Sequence, residues 1–291
     1  MPAPRIAVLT PDPANDVYAG SWPGVLGRLS AALAATGAEI TPTAWTDHAD
    51  DGAGLADFDL VLPLLTWGYH LDHARWLRAC RTWQDAAVPI ANPAGVLAWN
   101  SDKRYLDRLA RTGIAIPPTT WADDVTRKQV DAMFDATGAE QVIVKPVVSG
   151  GAWKTRRLRR GEPLGELPDG SAMLQPYLPA IETEGETSLL YFGGRLSHAV
   201  NKRPANGDFR IQVDFGGSYT AVPAPAGAVA LAEQVLAAID EPLLYARIDM
   251  VRDRDGRWLL MEAELIEPDF YLGQDPAAGA GFARAAGQRL A

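Results

Sequence analysis

The chain has 291 residues, of which 47% are hydrophobic and 22% charged, and its formal net charge at pH 7 is −9. These fractions are typical of a globular protein and exclude a disordered chain, and the length predicts about two domains. The acidic balance argues against nucleic acid as a partner, because proteins that bind nucleic acid usually carry a basic face. A single cysteine, Cys80, excludes a disulfide framework.

The cellular location follows from what the sequence lacks. No apolar run reaches the roughly 18 residues that a membrane-spanning helix needs. The N-terminus leads directly into a strand-like run at residues 6–10, which is too short for the core of a signal peptide. We therefore expect a cytoplasmic protein without membrane contact. Cys80 lies in an apolar helical stretch, which favours a buried, inert thiol over a nucleophile.

The first third of the sequence predicts alternating strands and helices. Such alternation indicates a Rossmann-like parallel sheet with right-handed crossovers. Ligands of such sheets bind beyond the carboxyl ends of the strands, which here carry residues 10–16 and 66–70. The predicted strands cover residues 6–10, 38–45, 59–65 and 88–92, and the predicted helices cover residues 24–36 and 71–86, with Gly37 as a helix stop.

The remainder of the chain changes to an α+β pattern. We expect a helix capped by Ser101 that ends at Arg111, and a second helix capped by Asp123 that ends at Thr137. The two halves are expected to form separate lobes with a cleft between them. A strand is predicted at residues 141–146. Antiparallel strands are predicted at residues 186–191, 195–202, 244–251 and 257–265, and a helix at residues 226–239.

The strongest cluster of candidate site residues is acidic. Asp249 lies on one arm of the last predicted hairpin, and Glu262 and Glu264 lie on the other. Residues two apart on a strand face the same side, so the hairpin can bring all three carboxylates together. Three carboxylates among apolar neighbours repel one another unless a cation neutralises them, and Mg²⁺ prefers oxygen ligands. The alternative is a solvated acidic face.

A second cluster is basic and glycine-rich. Lys145 ends a predicted strand, and the backbone amides of the loop at residues 149–152 can approach phosphate oxygens closely. Lys103, Lys202 and Arg210 supply further positive charge. A plain hairpin turn is the alternative for the loop.

A third segment, Gln175-Pro176-Tyr177-Leu178-Pro179, runs from a strand into an extended stretch that proline fixes. Its unpaired backbone groups can bond the edge of a nucleobase, or the segment is a plain connector. Glu182, Glu184 and Glu186 follow, and these carboxylates either bind ribose hydroxyls or are solvated.

The order of these motifs resembles that of the ATP-grasp ligases, in particular the glutathione-synthetase-like members. The resemblance covers roughly residues 100–272. It implies an α/β N-terminal domain followed by an α+β ATP-grasp fold that holds ATP between two lobes, with domains at residues 1–98, 99–178 and 179–291. The segments that carry the resemblance are residues 100–103, 143–146, 149–152, 175–179, 185–186, 201–203, 207–210, 247–249 and 261–264.

The resemblance also implies roles for the cofactor-binding residues. ATP phosphates would contact the lysines and lie under the glycine-rich loop, and adenine would bind the extended segment. Two Mg²⁺ ions would bind the acidic hairpin, where position 264 is Glu although many members carry Asn. The implied residues are Lys103, Lys145, Lys154, Ser149, Gly150 and Gly151 for the phosphates, Gln175, Tyr177 and Leu178 for adenine, Glu186 and Glu182 for ribose, and Asp249, Glu262 and Glu264 for the metals.

Catalytic and substrate residues are implied in the same way. Lys202 and Arg210 match positions where relatives carry basic residues against the transferred phosphoryl group. Arg247 would hold a substrate carboxylate, with a structural ion pair as the alternative. Trp67, Tyr69 and His70, at the predicted carboxyl edge of the first sheet, would contact the substrate, with packing between the lobes as the alternative.

The reaction implied is activation of a small amino-acid-type carboxylate as an acyl phosphate, which an amine attacks. Residues 62–70, 99–106 and 264–268 are similar to a subgroup that includes the cyclo-ligase of D-cycloserine biosynthesis, which closes a ring in O-ureido-D-serine. An intermolecular ligase and a catalytically silent ATP-binding protein stay open as alternatives. A plain amino-acid-binding module does not account for the acidic hairpin. Related ligases are often dimers or tetramers, so a homo-oligomer is an expectation.

Overall fold

A computed structural model describes residues 2–205, 211 and 216–291. Its N-terminal sheet is parallel and has the strand order β2-β1-β3. Apolar runs form the central strand β1, which is buried along all but its first residue. The elements of this part are β1 (Arg5–Thr10), α1 (Trp22–Leu33), β2 (Glu39–Ala44), α2 (Ala53–Ala56), β3 (Leu60–Leu62), α3 (His73–Asp85) and α4 (Ala94–Asn100).

The predicted fourth strand at residues 88–92 is wrong. Only Ile90 pairs there, in an isolated parallel bridge to Val61. Pro89 and Pro93 remove two backbone donors from this segment, so a longer ladder is not formed. The helix stop at Gly37 is confirmed, since Gly37 closes the α1 segment in the left-handed region with φ of 69°.

A four-stranded antiparallel sheet with the order β4-β7-β5-β6 forms the middle of the chain. Ser101 does not cap a helix, because α4 ends at Asn100 and a turn precedes the next helix. Thr126 caps the following helix instead of Asp123, because Thr126 and Gln129 form a reciprocal capping box. The elements are α5 (Tyr105–Arg111), β4 (Thr120–Ala122), α6 (Arg127–Thr137), β5 (Gln141–Pro146), β6 (Arg156–Arg159) and β7 (Ala172–Pro176).

The last sheet has five antiparallel strands in the order β10-β9-β8-β11-β12. The strands β4 and β10 and the helix α9 were not among the sequence predictions. The elements are α7 (Ala180–Thr183), β8 (Glu186–Phe192), β9 (Arg195–Arg203), β10 (Ser218–Val222), α8 (Ala226–Ile239), β11 (Tyr245–Arg252), β12 (Trp258–Glu264) and α9 (Ala280–Leu290).

The N-terminal and C-terminal parts share one hydrophobic cluster. Leu33 of α1 and Phe282 of α9 belong to it, together with Phe192 and Phe270, whose rings meet edge to face at 4.9 Å. Asn92 adds polar links, because its side chain donates to the backbone oxygens of Tyr245 and Leu265 at 2.9 Å each. The predicted domain boundary at residue 98 falls inside α4. Within the described ranges, no helix has both the length and the apolar character needed to cross a bilayer.

Candidate active site

The charged side chains of β8, β9, β11 and β12 are placed by strand register. Glu186 pairs with Lys202 across β8 and β9, which are antiparallel neighbours. In the last hairpin, Asp249 lies opposite Glu262, and Arg247 lies opposite Glu264. Alternation along each strand then puts these side chains on one face of the sheet. We call this set the charged strand face: Glu186, Lys202, Arg247, Asp249, Glu262 and Glu264.

Within this face, carboxylates and cations alternate in space. The Lys202 ammonium lies 2.5 Å from Glu186 and 3.2 Å from Asp249. Arg247 donates to Asp249 at 3.0 Å and to Glu264. Lys202 and Asp249 are each only 2% exposed. Burial of charges at this depth is tolerated only when opposite charges and hydrogen bonds compensate them.

The electrostatics of the acidic hairpin differ from one carboxyl group to the next. Burial alone would raise the pKa of Asp249, but Arg247 and Lys202 outweigh it and hold that pKa well below its usual value. Burial raises the pKa of Glu264 to about 7, against the lowering effect of Arg247 and with a further contribution from Asp249. The face therefore keeps Asp249 ionised and holds Glu264 close to its titration point at neutral pH.

Two residues outside the face hold the backbone of β12. Asn100 donates to the Ala263 oxygen at 2.8 Å and accepts from the Leu265 amide at 3.0 Å. The Tyr105 hydroxyl accepts from the Ala263 amide at 2.8 Å. These bonds flank Glu264, so they fix the direction in which Glu262 and Glu264 face. From the sequence, Asn100 was identified only as part of a motif, and no role was predicted for Tyr105.

The lysines predicted to contact phosphates lie beside the acidic hairpin. Lys103 is 8% exposed, forms an ion pair with Glu262, and donates to the Ser149 backbone oxygen at 3.4 Å. Lys145, at the end of β5, has no ion pair among the described residues, and burial lowers its pKa. The paired Lys103 and the unpaired Lys145 therefore border the start of the glycine-rich loop.

The loop itself has a backbone suited to close approach. Gly151 and Ala152 adopt φ of 58° and 63°, in the left-handed region, and Gly151 can do so without steric cost. Ser149 is buried, and its hydroxyl donates to the Pro146 oxygen at 3.3 Å. Lys154 points elsewhere: it is exposed and pairs with Asp169 at 2.9 Å.

Two backbone groups of the predicted adenine segment already form hydrogen bonds within the protein. The Tyr177 amide donates to the Gln141 oxygen at 2.9 Å, and the Leu178 oxygen accepts from Ile181 at 3.0 Å. The Tyr177 oxygen and the Leu178 amide have no backbone partner within the described residues. One acceptor and one donor therefore remain, which complements a base edge with an amino group and a ring nitrogen.

Side chains around this segment are also partnered. Gln175 is 3% exposed and donates to the Thr119 hydroxyl at 3.0 Å. Glu182 accepts from the Tyr177 hydroxyl at 2.6 Å and pairs with Arg157 at 3.1 Å. Glu186, in contrast, belongs to the charged strand face, where burial raises its pKa. The two predicted ribose residues therefore lie in different environments.

The predicted substrate residues of the N-terminal domain separate into two environments. Tyr69 is buried in the core, with its ring 5.0 Å from that of Trp76. His70 contacts the glycine-rich loop: its ring lies 5.5 Å from Trp153, and a Cβ atom on Gly150 would come within 3.3 Å of its Nδ1 atom. Trp67 is half-buried and meets the ring of Tyr18 at 5.9 Å.

Two residues of the site were not predicted, and one predicted residue is outside the described residues. Ser188, fully buried, donates to Asp249 at 2.5 Å, and the alternation with Glu186 along β8 was a signal for it. The ring of Tyr271 faces Arg247 at 5.3 Å, with no sequence signal to reveal it. Arg210 lies outside the described residues.

A metal site was predicted at the acidic hairpin. Across residues 2–205, 211 and 216–291, no group of three His, Cys, Asp or Glu side chains is arranged to hold an ion. The donor chemistry nevertheless fits a hard cation, because Asp249, Glu262 and Glu264 offer only oxygen ligands from facing strand positions. The raised pKa of Glu264 indicates that added positive charge would be favourable there.

Comparison with known proteins identifies the family. Residues 6–92 match the family model of the D-cycloserine synthetase DcsG N-terminal domain. The cycloserine biosynthesis protein DcsG of Streptomyces lavendulae is 30% identical over 265 residues, which are 84% of this chain and 87% of that protein. The chain belongs to the DcsG family of ATP-grasp ligases. It is therefore an ADP-forming carbon–nitrogen ligase that uses ATP.

Solved structures agree with membership of the DcsG family. The crystal structure of D-cycloserine synthetase DcsG has a TM-score of 0.83 and 27% identity, and the match covers 99% of this chain and 100% of that one. D-alanine–D-alanine ligase of Bacillus anthracis has a TM-score of 0.72 at 17% identity, covering 99% and 96%, which shows the shared fold. The predicted fold class, a parallel α/β domain followed by an ATP-grasp fold, is confirmed.

Proposed function

We propose that this ligase activates the carboxylate of a small amino-acid-type substrate as an acyl phosphate and that a substrate nitrogen then displaces the phosphate. The observation that supports this reaction is the charged strand face. It places Lys202 and Arg247, buried and fixed, in contact with Glu186, Asp249 and Glu264 on one face of the sheet. Such preorganised charge is suited to a reaction in which negative charge moves between phosphate, carboxylate and leaving group.

In the first step, a carboxylate oxygen of the substrate attacks the γ-phosphorus of ATP, and ADP leaves with the electrons of the broken P–O bond. We propose that Lys103 and Lys145 contact the phosphates of ATP, with Ser149, Gly150 and Gly151 above them. Lys103 already touches this loop through the Ser149 oxygen. When bound, Mg²⁺ would neutralise phosphate charge, and Asp249, Glu262 and Glu264 would hold it.

In the second step, a nitrogen attacks the acyl carbon, inorganic phosphate leaves with the electrons of the broken C–O bond, and the proton that the nitrogen loses departs with the phosphate. We propose that Lys202 and Arg247, together with Arg210, stabilise the oxyanion that forms. Arg247 suits this role because its guanidinium is a fixed positive charge, held by donation to Asp249, to Glu264 and to the Asp269 oxygen. The loop and the N-terminal domain exclude water, which would otherwise hydrolyse the acyl phosphate.

The nucleotide and the substrate are proposed to occupy neighbouring parts of the cleft. The Tyr177 oxygen and the Leu178 amide would bind adenine beside Gln175, and Glu186 would hold ribose, with Glu182 as the second candidate. The substrate would lie towards Trp67 and His70. We also propose that the domains end at residues 98 and 178 and that the protein is cytoplasmic.

Ring closure is the form of the reaction that we favour. The support is the identity to the cycloserine biosynthesis protein DcsG and the match of residues 6–92 to its N-terminal domain, the part that carries the predicted substrate residues. The substrate would then resemble O-ureido-D-serine, whose nitrogen and carboxylate belong to one molecule.

The test is ADP release with Mg²⁺-ATP across a panel of small amino acids, followed by mass spectrometry of the products. The panel contains O-ureido-D-serine, D- and L-serine, D- and L-alanine, and pairs of these. A product formed from one molecule, with the nitrogen joined to its own carboxyl carbon, supports ring closure. A product that joins two panel members contradicts ring closure but supports ligation. ATP binding without substrate-dependent ADP from any member contradicts the proposed substrate class.

A further inference from the structure

Tyr271 follows β12 and is buried against the charged strand face, with 6% of its surface exposed. Its ring lies over both cations of that face. The Arg247 guanidinium is 5.3 Å from the ring centroid, and the Lys202 ammonium is 5.9 Å from it. An aromatic ring attracts a cation through its quadrupole, most strongly where water is excluded. One neutral side chain therefore contacts both of the cations that the proposed function assigns to the oxyanion.

The backbone of Tyr271 has a conformation that a bulky residue rarely adopts. Its φ is 47°, in the left-handed region. Five other non-glycine residues of the described ranges share that region, and none of them is aromatic. Such a conformation costs free energy at a residue with a large side chain, whereas glycine adopts it readily. The position therefore keeps a tyrosine ring at a cost in backbone energy.

Hydrogen bonds hold the same segment around Arg247. The Tyr271 amide donates to the Asp269 carboxylate at 2.8 Å, which closes a tight turn. The Gln274 amide donates to the Tyr271 oxygen at 2.8 Å. Arg247 in turn donates to the Asp269 backbone oxygen at 3.4 Å. The turn therefore contacts the guanidinium twice, once through its backbone and once through the ring of Tyr271.

A second tyrosine fixes the orientation of this ring. Tyr219 of β10 pairs with Lys202 of β9, and its ring meets that of Tyr271 edge to face at 4.9 Å. Edge-to-face pairs have a preferred geometry, so this contact limits how the Tyr271 ring can turn. Among the described residues, the Tyr271 hydroxyl has no hydrogen-bond partner. The side-chain contacts of Tyr271 are therefore made by its ring.

We infer that Tyr271 is a positioning residue of the ligase: its ring holds the Arg247 guanidinium and the Lys202 ammonium in place for the oxyanion of the second step. The inference rests on the proposed function, which gives both cations that task. Two neighbouring cations repel each other, and the ring attracts both of them. A further carboxylate would also attract them, but its negative charge would repel an anionic substrate. A neutral ring avoids that repulsion.

The test compares Tyr271→Phe with Tyr271→Leu in ADP release. Phenylalanine keeps the ring, so we expect kcat within about threefold of the wild type, whereas leucine has no π system and should lower kcat at least about tenfold. ATP affinity by calorimetry should change in neither variant, because Lys103 and Lys145 are the proposed phosphate contacts. Phe58→Leu is the matched control. It removes a ring that lies over Arg5 at 4.6 Å, at the start of β1, and should keep the wild-type kcat.

A second measurement does not depend on turnover. Arg247→Lys keeps the positive charge and removes the planar guanidinium. If the ring holds Arg247, the melting temperature of the double variant with Tyr271→Leu should fall by less than the sum of the two single losses, because both changes remove the same contact.

The outcomes separate this inference from the proposed function. Equal kcat in Tyr271→Phe and Tyr271→Leu overturns the inference, because the ring then makes no difference to turnover. Additive losses of melting temperature overturn it as well. Wild-type protein without substrate-dependent ADP release overturns the proposed function instead, and the melting temperatures then decide whether the ring holds Arg247.

Discussion

The charged strand face and the edge of the N-terminal sheet differ in whether their buried polar groups have partners within the chain. In the charged strand face, Lys202 lies between Glu186 and Asp249, so the chain neutralises its own charges. At the sheet edge, the Trp45 indole and the Nδ1 atom of His70 are buried without an acceptor or donor among the described residues. The charges of the first region are paired within the chain, whereas the two polar atoms at the sheet edge have no partner among the described residues.

The largest effect is expected from a substitution that removes one cation from the charged strand face. Lys202→Met leaves Glu186 and Asp249 buried with one cation fewer, and losing one partner of a buried ion pair costs about 3–5 kcal/mol. We expect a loss of that order in the free energy of unfolding, measured with urea, and no detectable ADP release.

The control for this change is an exposed ion pair. Arg111→Met removes the partner of Asp107, 2.7 Å away on the surface of α5. Exposed pairs contribute about 0–1 kcal/mol, so the free energy of unfolding should barely change. Equal losses in the two variants would contradict the view that burial makes the charged strand face costly to break.

Lys145 lies beside the charged strand face and yet has no ion pair in the described part of the chain. Its free charge is then available for phosphate. Lys145→Ala should weaken ATP binding at least about tenfold by calorimetry, since bonds to charged groups are the stronger ones. Lys154→Ala, which removes an exposed lysine paired with Asp169, is the control and should keep wild-type affinity. Wild-type affinity in Lys145→Ala would remove this residue from the site.

A smaller effect is expected from His70 as the pH falls. Burial, helped by Lys103, lowers the pKa of His70 to about 4, below the ordinary value of 6.5. The unfolded chain then binds the proton more readily, so stability is fully present above pH 6.5 and declines towards pH 4. His70→Gln should show a shallower decline in urea unfolding over this range. An identical pH dependence in the two proteins would contradict the buried, neutral imidazole.

The smallest effect is expected at Cys80, a core residue to which we assign no ligand contact. The thiol is 1% exposed, and burial raises its pKa to about 12. We expect no reaction with a thiol reagent at pH 8 in the native protein and full reaction in concentrated urea. Rapid modification of the native protein would show that this core opens easily.

Much of the charged strand face could be predicted from the sequence, because it depends on alternation along single strands. Glu262 and Glu264 face one way for that reason, and the turn of the hairpin brings Asp249 opposite Glu262. No carboxylate partner was predicted for Lys202, whereas a structural ion pair was the alternative for Arg247, and the structure contains that pair. Arg247 was singled out, yet its contact with Glu264 depends on the register between two strands.

The sheet edge was harder to predict, because its residues come from three separate segments, one after each strand. Trp67 and His70 were identified by their place after a strand, whereas nothing in the sequence distinguishes the unpaired indole of Trp45 from the paired one of Trp83. A local signal was also overlooked: Thr126 and Gln129 have the spacing of a capping box, which competes with Asp123 for the start of α6.

ADP release by Glu262→Gln over a range of Mg²⁺ concentrations tests most directly whether the charged strand face is the reaction centre. Glutamine keeps an oxygen that can accept from Lys103, so we expect the melting temperature to stay close to that of the wild type. Asp255→Asn, in the exposed turn of the same hairpin, is the matched control and should release ADP normally. We expect turnover dependent on Mg²⁺ to be abolished in Glu262→Gln alone. Unchanged turnover in Glu262→Gln would contradict the assignment of the charged strand face as the reaction centre.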